Sequence, residues 1–353
     1  MKFIFTFLII IIFSPVMANK KVHSTVDKRV EMLSIIFRLA ENPEYNMKFA
    51  KNYVNDIHNH FDEYKNHGVI KFAKQLSQEK NMGFSKVMFL AVHLQFVSNR
   101  FILLKESESN LKGKWDEADA IKFVGLLNDF YHKSEFEVFF KMHKATYDRA
   151  TKEFDKSVTE FDQKWYLDYY GDHDVEYQVV LGLGDGGANY GPSVTPVGKK
   201  RIVYAIMGSW TFDEAGNPLF PKDTYLTYLI HEFNHSFVDH ILEENLIIDM
   251  SLQPSGERLL ENKKNEMKLE GYEDWHSLIN ESLVRASVIR YMIDHKESPE
   301  AVEQEILNQE KKGFVWMRKL VALVGEYKRS RTKFPSFKTF YPRITDFFNT
   351  VEI

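Results

Sequence analysis

The run Leu229-Ile230-His231-Glu232-Phe233-Asn234-His235-Ser236-Phe237 places two imidazoles and a carboxylate at the spacing a helix needs to present them to one ion. Positions four apart lie one turn apart on the same side of an α-helix, so His231 and His235 can direct ring nitrogens at a common point. Zinc accepts neutral histidine nitrogens, and with three protein ligands it keeps a fourth position open to water. Glu232, beside both histidines, is then the carboxylate that can take the water's proton as it attacks a carbonyl. The chemistry is metal-assisted hydrolysis. With 13 histidines in 353 residues, chance alone puts the bare pattern in roughly one such chain in twenty-five, so the flanks matter. They hold no charge or proline that would oppose a buried helix.

Periodicity supplies the element that must carry the motif. Wound as a helix, residues 223–242 put Leu226, Ile230, Phe233, Phe237 and Ile241 on one side, which is the side expected to face a core. Thr224, Tyr228, His231, Glu232, His235 and Asp239 fall on another arc, where the lining of a cleft would lie. Asp223 or Thr224, just after Pro221, is the expected N-cap. Asp239 lies one turn beyond His235, where it either accepts a hydrogen bond from that imidazole or stands as an ordinary solvated helix residue.

A third ligand is required. The pattern with a third histidine six residues after the second, and a glycine between, fails here because position 241 is Ile and position 238 is Val. His240 points to the opposite side of a continuing helix. Glu281, inside an apolar helical run with Leu278, Ile279, Leu283, Val284, Val288 and Ile289, is the better candidate, since a carboxylate buried there needs a cation or strong donors. Its alternative is an ion pair with Arg285, one turn on. Glu261, Glu266, Glu270 and Glu273 are rivals in a stretch that reads as solvated surface.

The two segments together resemble the gluzincin class of metallopeptidases, in which two motif histidines and a glutamate on a later helix hold zinc. More closely, the chain is similar to an uncharacterised domain family of secreted proteins with a helical N-terminal half followed by an HEF-x-HSF helix. That resemblance includes Arg29-Val30-Glu31-Met32-Leu33 and Asn189-Tyr190-Gly191-Pro192 besides the motif. It implies zinc on His231, His235 and Glu281, with Glu232 as the general base. The spacing from His235 to Glu281 is wider than in the best-known gluzincins, and Arg285-Ala286 stands where many members carry Ala-Asp or Ser-Asp.

Met1-Lys2, an apolar run from Phe3 to Phe13 and then Val16-Met17-Ala18 read as a secretory signal cleaved after Ala18. The run is short of the roughly twenty residues that span a bilayer, so no stable membrane anchor is expected and the mature chain is expected to be periplasmic or secreted. There is no cysteine, which leaves only histidine and carboxylate for a metal site. A net charge of −4 gives no case for nucleic acid as a partner.

The first half reads as helical. Val30, Leu33, Phe37 and Ala40 mark one helix face, and Phe136, Phe140, His143, Tyr147, Ala150, Phe154, Val158 and Phe161 recur through a long helix with His143 as a packed core histidine. His58 and His60 read as surface residues. The pattern changes to strands at Val175–Leu181 and 201–207, separated by glycines at 182, 184, 186 and 187. Between them, 187–192 is either a plain loop or an edge segment that pairs with substrate backbone, which would bring Asn189 and Tyr190 to the scissile bond. The sequons at Asn234 and Asn280 overlap presumed buried helices and are expected to be accidental.

The expected fold is α+β: a signal peptide (1–18), a helical N-terminal region (19–165), and a zincin-like domain (166–353) with a small β-sheet and an active-site helix. The expected function is a zinc metallopeptidase acting on a peptide or protein substrate. The alternatives are a catalytically inactive or structural-metal binding protein of the cell envelope, and a hydrolase of another amide such as a cell-wall crosslink.

Overall fold

The computed structural model describes residues 22–47, 49–105, 111–243 and 245–352; the expected signal peptide lies outside them. The fold is α+β. Among the described residues no helix is long and apolar enough to cross a membrane.

One sheet organises the molecule. Its strand order is Ser24–Val26, Val175–Gly182, Arg201–Gly208 and Ser193–Val194. The first three run parallel and the last is antiparallel at the edge. The two long strands are continuous apolar runs toward their C-terminal ends, as expected of strands covered on both faces. Composition changes along the chain near 165, but the sheet crosses that point, because the strand at Ser24–Val26 pairs with Val179–Leu181.

The helix Lys28–Leu39, capped by Asp27, follows that first strand and is buried on every side from Val30 to Leu39. The face expected from its pattern is buried, but so is a polar stripe of Glu31, Ser34 and Arg38. Buried polar groups require partners: Ser34 Oγ donates to Val30 O within the helix, and Glu31 and Arg38 find theirs in the glycine loop and at Tyr53. Glu31 Oε1 accepts from Leu183 N at 2.7 Å and Gly184 N at 3.4 Å, and its Oε2 accepts from the Tyr53 hydroxyl at 2.7 Å. Arg38 Nη2 donates to Gly184 O at 3.2 Å. Asp185, fully buried, accepts from Gly187 N at 2.9 Å, while its Oδ2 has no hydrogen-bond partner among the described residues.

Burial, reinforced by Glu31 and opposed by Gly187 N and Arg38, raises the Asp185 carboxyl well above its ordinary range. A carboxyl raised in the folded state keeps its proton while the unfolded chain loses it, so its contribution to stability falls as pH rises through the ordinary carboxylate range. Asp185→Asn keeps the acceptor for Gly187 N and has no proton to lose. Its stability relative to the native chain is therefore expected to improve as pH rises from about 4 to about 8, measured by urea unfolding at each pH. A pH-independent difference refutes the assignment.

The long helix expected through 136–161 is two helices, Phe136–Met142 and Lys144–Ser157. The break is at His143, whose backbone leaves helical geometry (φ −89°, ψ 4°) and whose Nδ1 turns back to Phe139 O at 2.9 Å. The apolar period survives because the second helix keeps Tyr147, Ala150 and Phe154 buried. His143 is half-buried, sits against the rings of Tyr53, Phe139 and Tyr147, and pairs with Asp56 at 3.1 Å. His58 and His60 are both half-buried, His58 bonded to Asp62 and His60 to Ser134 O.

After the sheet the chain is helical. The motif helix Lys222–Glu243, the helices Leu246–Asn262 and Trp275–Asp294, and three more at Pro299–Lys311, Met317–Arg329 and Phe337–Thr350 pack together. The motif helix begins at Lys222, directly after Pro221, so it starts before the expected cap. Phe233 and Phe237 are buried in an aromatic wall, with Phe237 stacked on Tyr170 at 4.5 Å. Each such side chain contributes about 1.5–3 kcal/mol by leaving water. Arg201 at the start of its strand reaches Ser236 O at 2.5 Å and Asp172 at 2.6 Å, tying strand to helix.

Candidate metal centre

The motif helix buries the face its pattern requires, with Ile230, Phe233, Phe237 and Ile241 inside and Leu226 partly covered. The arc of Thr224, Tyr228, His231, His235 and Asp239 stays partly or fully open. Glu232 departs from the expected arc in being only 5% exposed.

Two polar residues inside the motif do the bracing. Asn234, wholly buried, accepts from the Tyr170 hydroxyl at 2.9 Å and donates to Val284 O at 3.4 Å on the helix Trp275–Asp294. Ser236 Oγ donates to Gly191 O and Pro192 O at 3.0 and 3.1 Å. Both sequons are therefore built into the interior: Asn234 and Ser282 are at 0% exposure, and Asn280 is at 8%.

The Asn234 bond holds the Trp275–Asp294 helix in the register that brings Glu281 to the histidines. His231, His235 and Glu281 form a group whose ligand atoms lie within 4.8 Å of one another. The two Nε2 atoms are 3.2 Å apart, His235 Nε2 is 3.3 Å from Glu281 Oε1, and His231 Nε2 is 3.7 Å from Glu281 Oε2. Zinc bonds of about 2.0–2.1 Å at tetrahedral angles set donor atoms about 3.3–3.4 Å apart. The donor set and its convergence therefore fit a zinc ion. Among the described residues it is the one such cluster.

Electrostatics follow from burial and neighbours. Burial pulls His231 down to about 3, so its ring is neutral. Burial also opposes charge on His235, but Asp239 and Glu281 outweigh it and raise this imidazole well above its ordinary value. Burial pushes Glu281 up, and the two histidines and Arg285 more than reverse that, holding it well below the usual carboxylate range. A cation is therefore wanted between these groups, whether a proton or a metal. Glu232 has no hydrogen bond or ion pair among the described residues, and burial pushes it up to about 8.

Asp239 lies behind His235, with Oδ1 3.5 Å from Nδ1, where accepting a proton from Nδ1 would leave Nε2 as the lone-pair nitrogen facing His231 and Glu281. Glu281 also makes the ion pair considered for it, accepting from Arg285 Nε at 3.0 Å. Glu261 and Glu273 are exposed as expected, whereas Glu266 and Glu270 are partly covered. Among the other polar groups, Tyr291 is committed to Asp162 N and Glu160 O, and His276 lies 2.9 Å from Asp249.

The segment expected either as a loop or as an edge strand is an edge segment. Tyr190 and Ile206 exchange both backbone bonds at 2.9 and 2.8 Å, and Pro192 O accepts from Tyr204 N. In an antiparallel pair the intervening residues face the other way, so the Asn189 backbone and the Gly191 N–H point outward. The Asn189 side chain accepts from Gly208 N at 3.0 Å, and the Tyr190 side chain is buried. Any contact these two make with substrate would come from main chain.

Gly191 sets how close this segment comes to the motif helix. A Cβ there would stand 1.9 Å from Glu232 O and 2.8 Å from His235 Cβ. Gly191→Ala is expected to cost about 1–3 kcal/mol and to displace the edge segment, seen as a lowered denaturation midpoint with unchanged urea dependence. Native-like stability would show that the helix can retreat freely.

Residues 22–347 match the family model described as Domain of unknown function (DUF4932). No curated protein matches the chain, and no solved structure does.

Proposed function

The chain belongs to the DUF4932 family, and from that premise we propose that it is a zinc-dependent metallopeptidase of gluzincin type, acting outside the cytoplasm. The observation that carries the reading is the convergence of His231, His235 and Glu281 beside Glu232, a buried carboxyl with no hydrogen-bond or ion-pair partner among the described residues. A structural metal site has no use for such a group and closes with four protein ligands.

Zinc, when bound, supplies a water of lowered pKa and polarises a carbonyl. His231, His235 and Glu281 would hold it. Glu232 accepts the proton released at the water and returns it to the leaving amine, work that suits a carboxyl whose proton affinity burial has raised toward neutrality. Asp239 keeps the His235 ring oriented. The outward-facing main chain of Asn189 and the N–H of Gly191 give an extended peptide an edge to pair with. The apolar stretch Phe3–Phe13 supports export.

A second reading has its own support. Arg285 on Glu281 makes an ion-pair network that could brace two helices without hydrolysis, as in a catalytically inactive or structural-metal protein. Zinc content by mass spectrometry and cleavage of a peptide library separate the two. About one zinc per chain with cleavage is expected. Zinc without cleavage of peptides or cell-wall peptides supports the structural-metal reading, and no zinc from metal-replete medium overturns the metallopeptidase and leaves the ion-pair network alone.

A further inference from the structure

An ion pair of Glu and Arg four apart on a helix is commonplace at a surface, where it contributes about 0.3–0.5 kcal/mol. The pair Glu281–Arg285 is different in its surroundings. The two side chains are 9% and 10% exposed, and each nitrogen of the guanidinium has an acceptor. Nε donates to Glu281 Oε2 at 3.0 Å, Nη1 to Gln309 Oε1 at 2.6 Å, and Nη2 to the Tyr272 hydroxyl at 3.0 Å. The guanidinium lies over the Phe314 ring at 4.9 Å. Gln309 is itself buried and held by Glu305. Tyr272, Gln309 and Phe314 come from segments outside both site helices, so the chain uses three separate supports to fix one arginine.

That fixed donor takes one oxygen of Glu281 and leaves the other. Oε2 is bound to Arg285 and lies 3.7 Å from His231 Nε2, while Oε1 has no donor from Arg285 and faces His235 Nε2 at 3.3 Å. We propose that Arg285 is a positioning residue for the metal centre, holding the Glu281 carboxylate in one orientation so that Oε1, the oxygen Arg285 leaves free, is the one offered beside His235 Nε2. The inference rests on the metal-centre reading given above. Its chemical content is that a carboxylate with one oxygen engaged by a fixed guanidinium would offer the other oxygen in a fixed direction. Its charge is also partly offset by the guanidinium. Partners of this kind behind a metal ligand typically account for about 10- to 100-fold in metal affinity.

The test uses the full chain, with zinc affinity measured by chelator competition and the coordination environment read from the visible spectrum after cobalt(II) loading. Arg285→Met is expected to weaken zinc binding about 10- to 100-fold and to change the cobalt spectrum. Arg285→Lys, which can still reach Glu281, is expected to recover part of both. A general loss of packing would not alter the spectrum of the metal-loaded fraction. Removal of a merely repulsive charge would tighten binding. Tight or tighter binding by Arg285→Met with an unchanged spectrum overturns the proposal and leaves the metal centre standing. If Arg285→Met does not fold, Tyr272→Phe removes one anchor of the guanidinium, and an unchanged affinity and spectrum there overturn it equally. A native chain that takes up neither zinc nor cobalt removes the metal-centre reading itself, and this inference with it.

Discussion

Glu232→Gln is expected to lower kcat for peptide hydrolysis by about 100- to 10,000-fold while zinc content stays near that of the native chain. Glutamine fills the same space, and the carboxylate it replaces has no hydrogen bond or ion pair to lose among the described residues. Nor is Glu232 in the ligand group, which is His231, His235 and Glu281. The variant therefore removes a proton acceptor and little else. Steady-state kinetics beside metal analysis and a thermal melt check it. Native kcat in a folded, zinc-loaded variant would mean that another group takes the proton, and the role given to Glu232 would be abandoned.

His235→Ala acts on the metal instead of the base. The zinc content is expected to fall from about one per chain to below about a tenth. The melting temperature should also lose its dependence on added zinc, because a ligand present at about 100 times its Kd stabilises the folded state by about 2.7 kcal/mol. The fold should survive, since Glu281 retains its bond to Arg285 and the apolar face of the motif helix is untouched. Zinc at native stoichiometry in this variant would relocate the site away from the motif.

The motif helix, the Glu281 helix and the two long strands were legible in sequence because each carries a strong period or a dense apolar run. The clustering of Glu281 with the two histidines was legible for the same reason: once Leu278, Ile279, Leu283 and Val284 mark a buried helix, Glu281 needs a cation or strong donors, and the structure gives it both histidines and Arg285 as neighbours. Direction and order within the sheet were not. The parallel strand at Ser24–Val26 is three residues long, too short to show a period, and its partner lies far along the chain. The antiparallel edge at Tyr190 depends on two backbone bonds to Ile206, which leave no mark on side-chain pattern. The break at His143 was hidden because a 3.6-residue period continues across it. Asn234, Ser236 and Gln309 were missed as supporting residues, although polar residues within apolar helices are a readable signal. Glu31, Ser34 and Arg38, spaced along one stripe of a buried helix, give the same signal.

The pairing of Ser24–Val26 with the strand at Val179–Leu181 also sets an order of events as the chain is made. Thr25 and Val179 are 154 positions apart, and at about 5–20 residues per second the ribosome needs roughly 10–30 s to cover that distance. The helix that follows waits with it, because Glu31 and Arg38 take their partners from Leu183 and Gly184. Closing a loop of this length before its contacts repay the lost entropy is slow. Residues 24–39 are thus an apolar segment carrying unmatched charges, synthesised well before its sheet partner and docked late, and open to misassociation before the sheet forms.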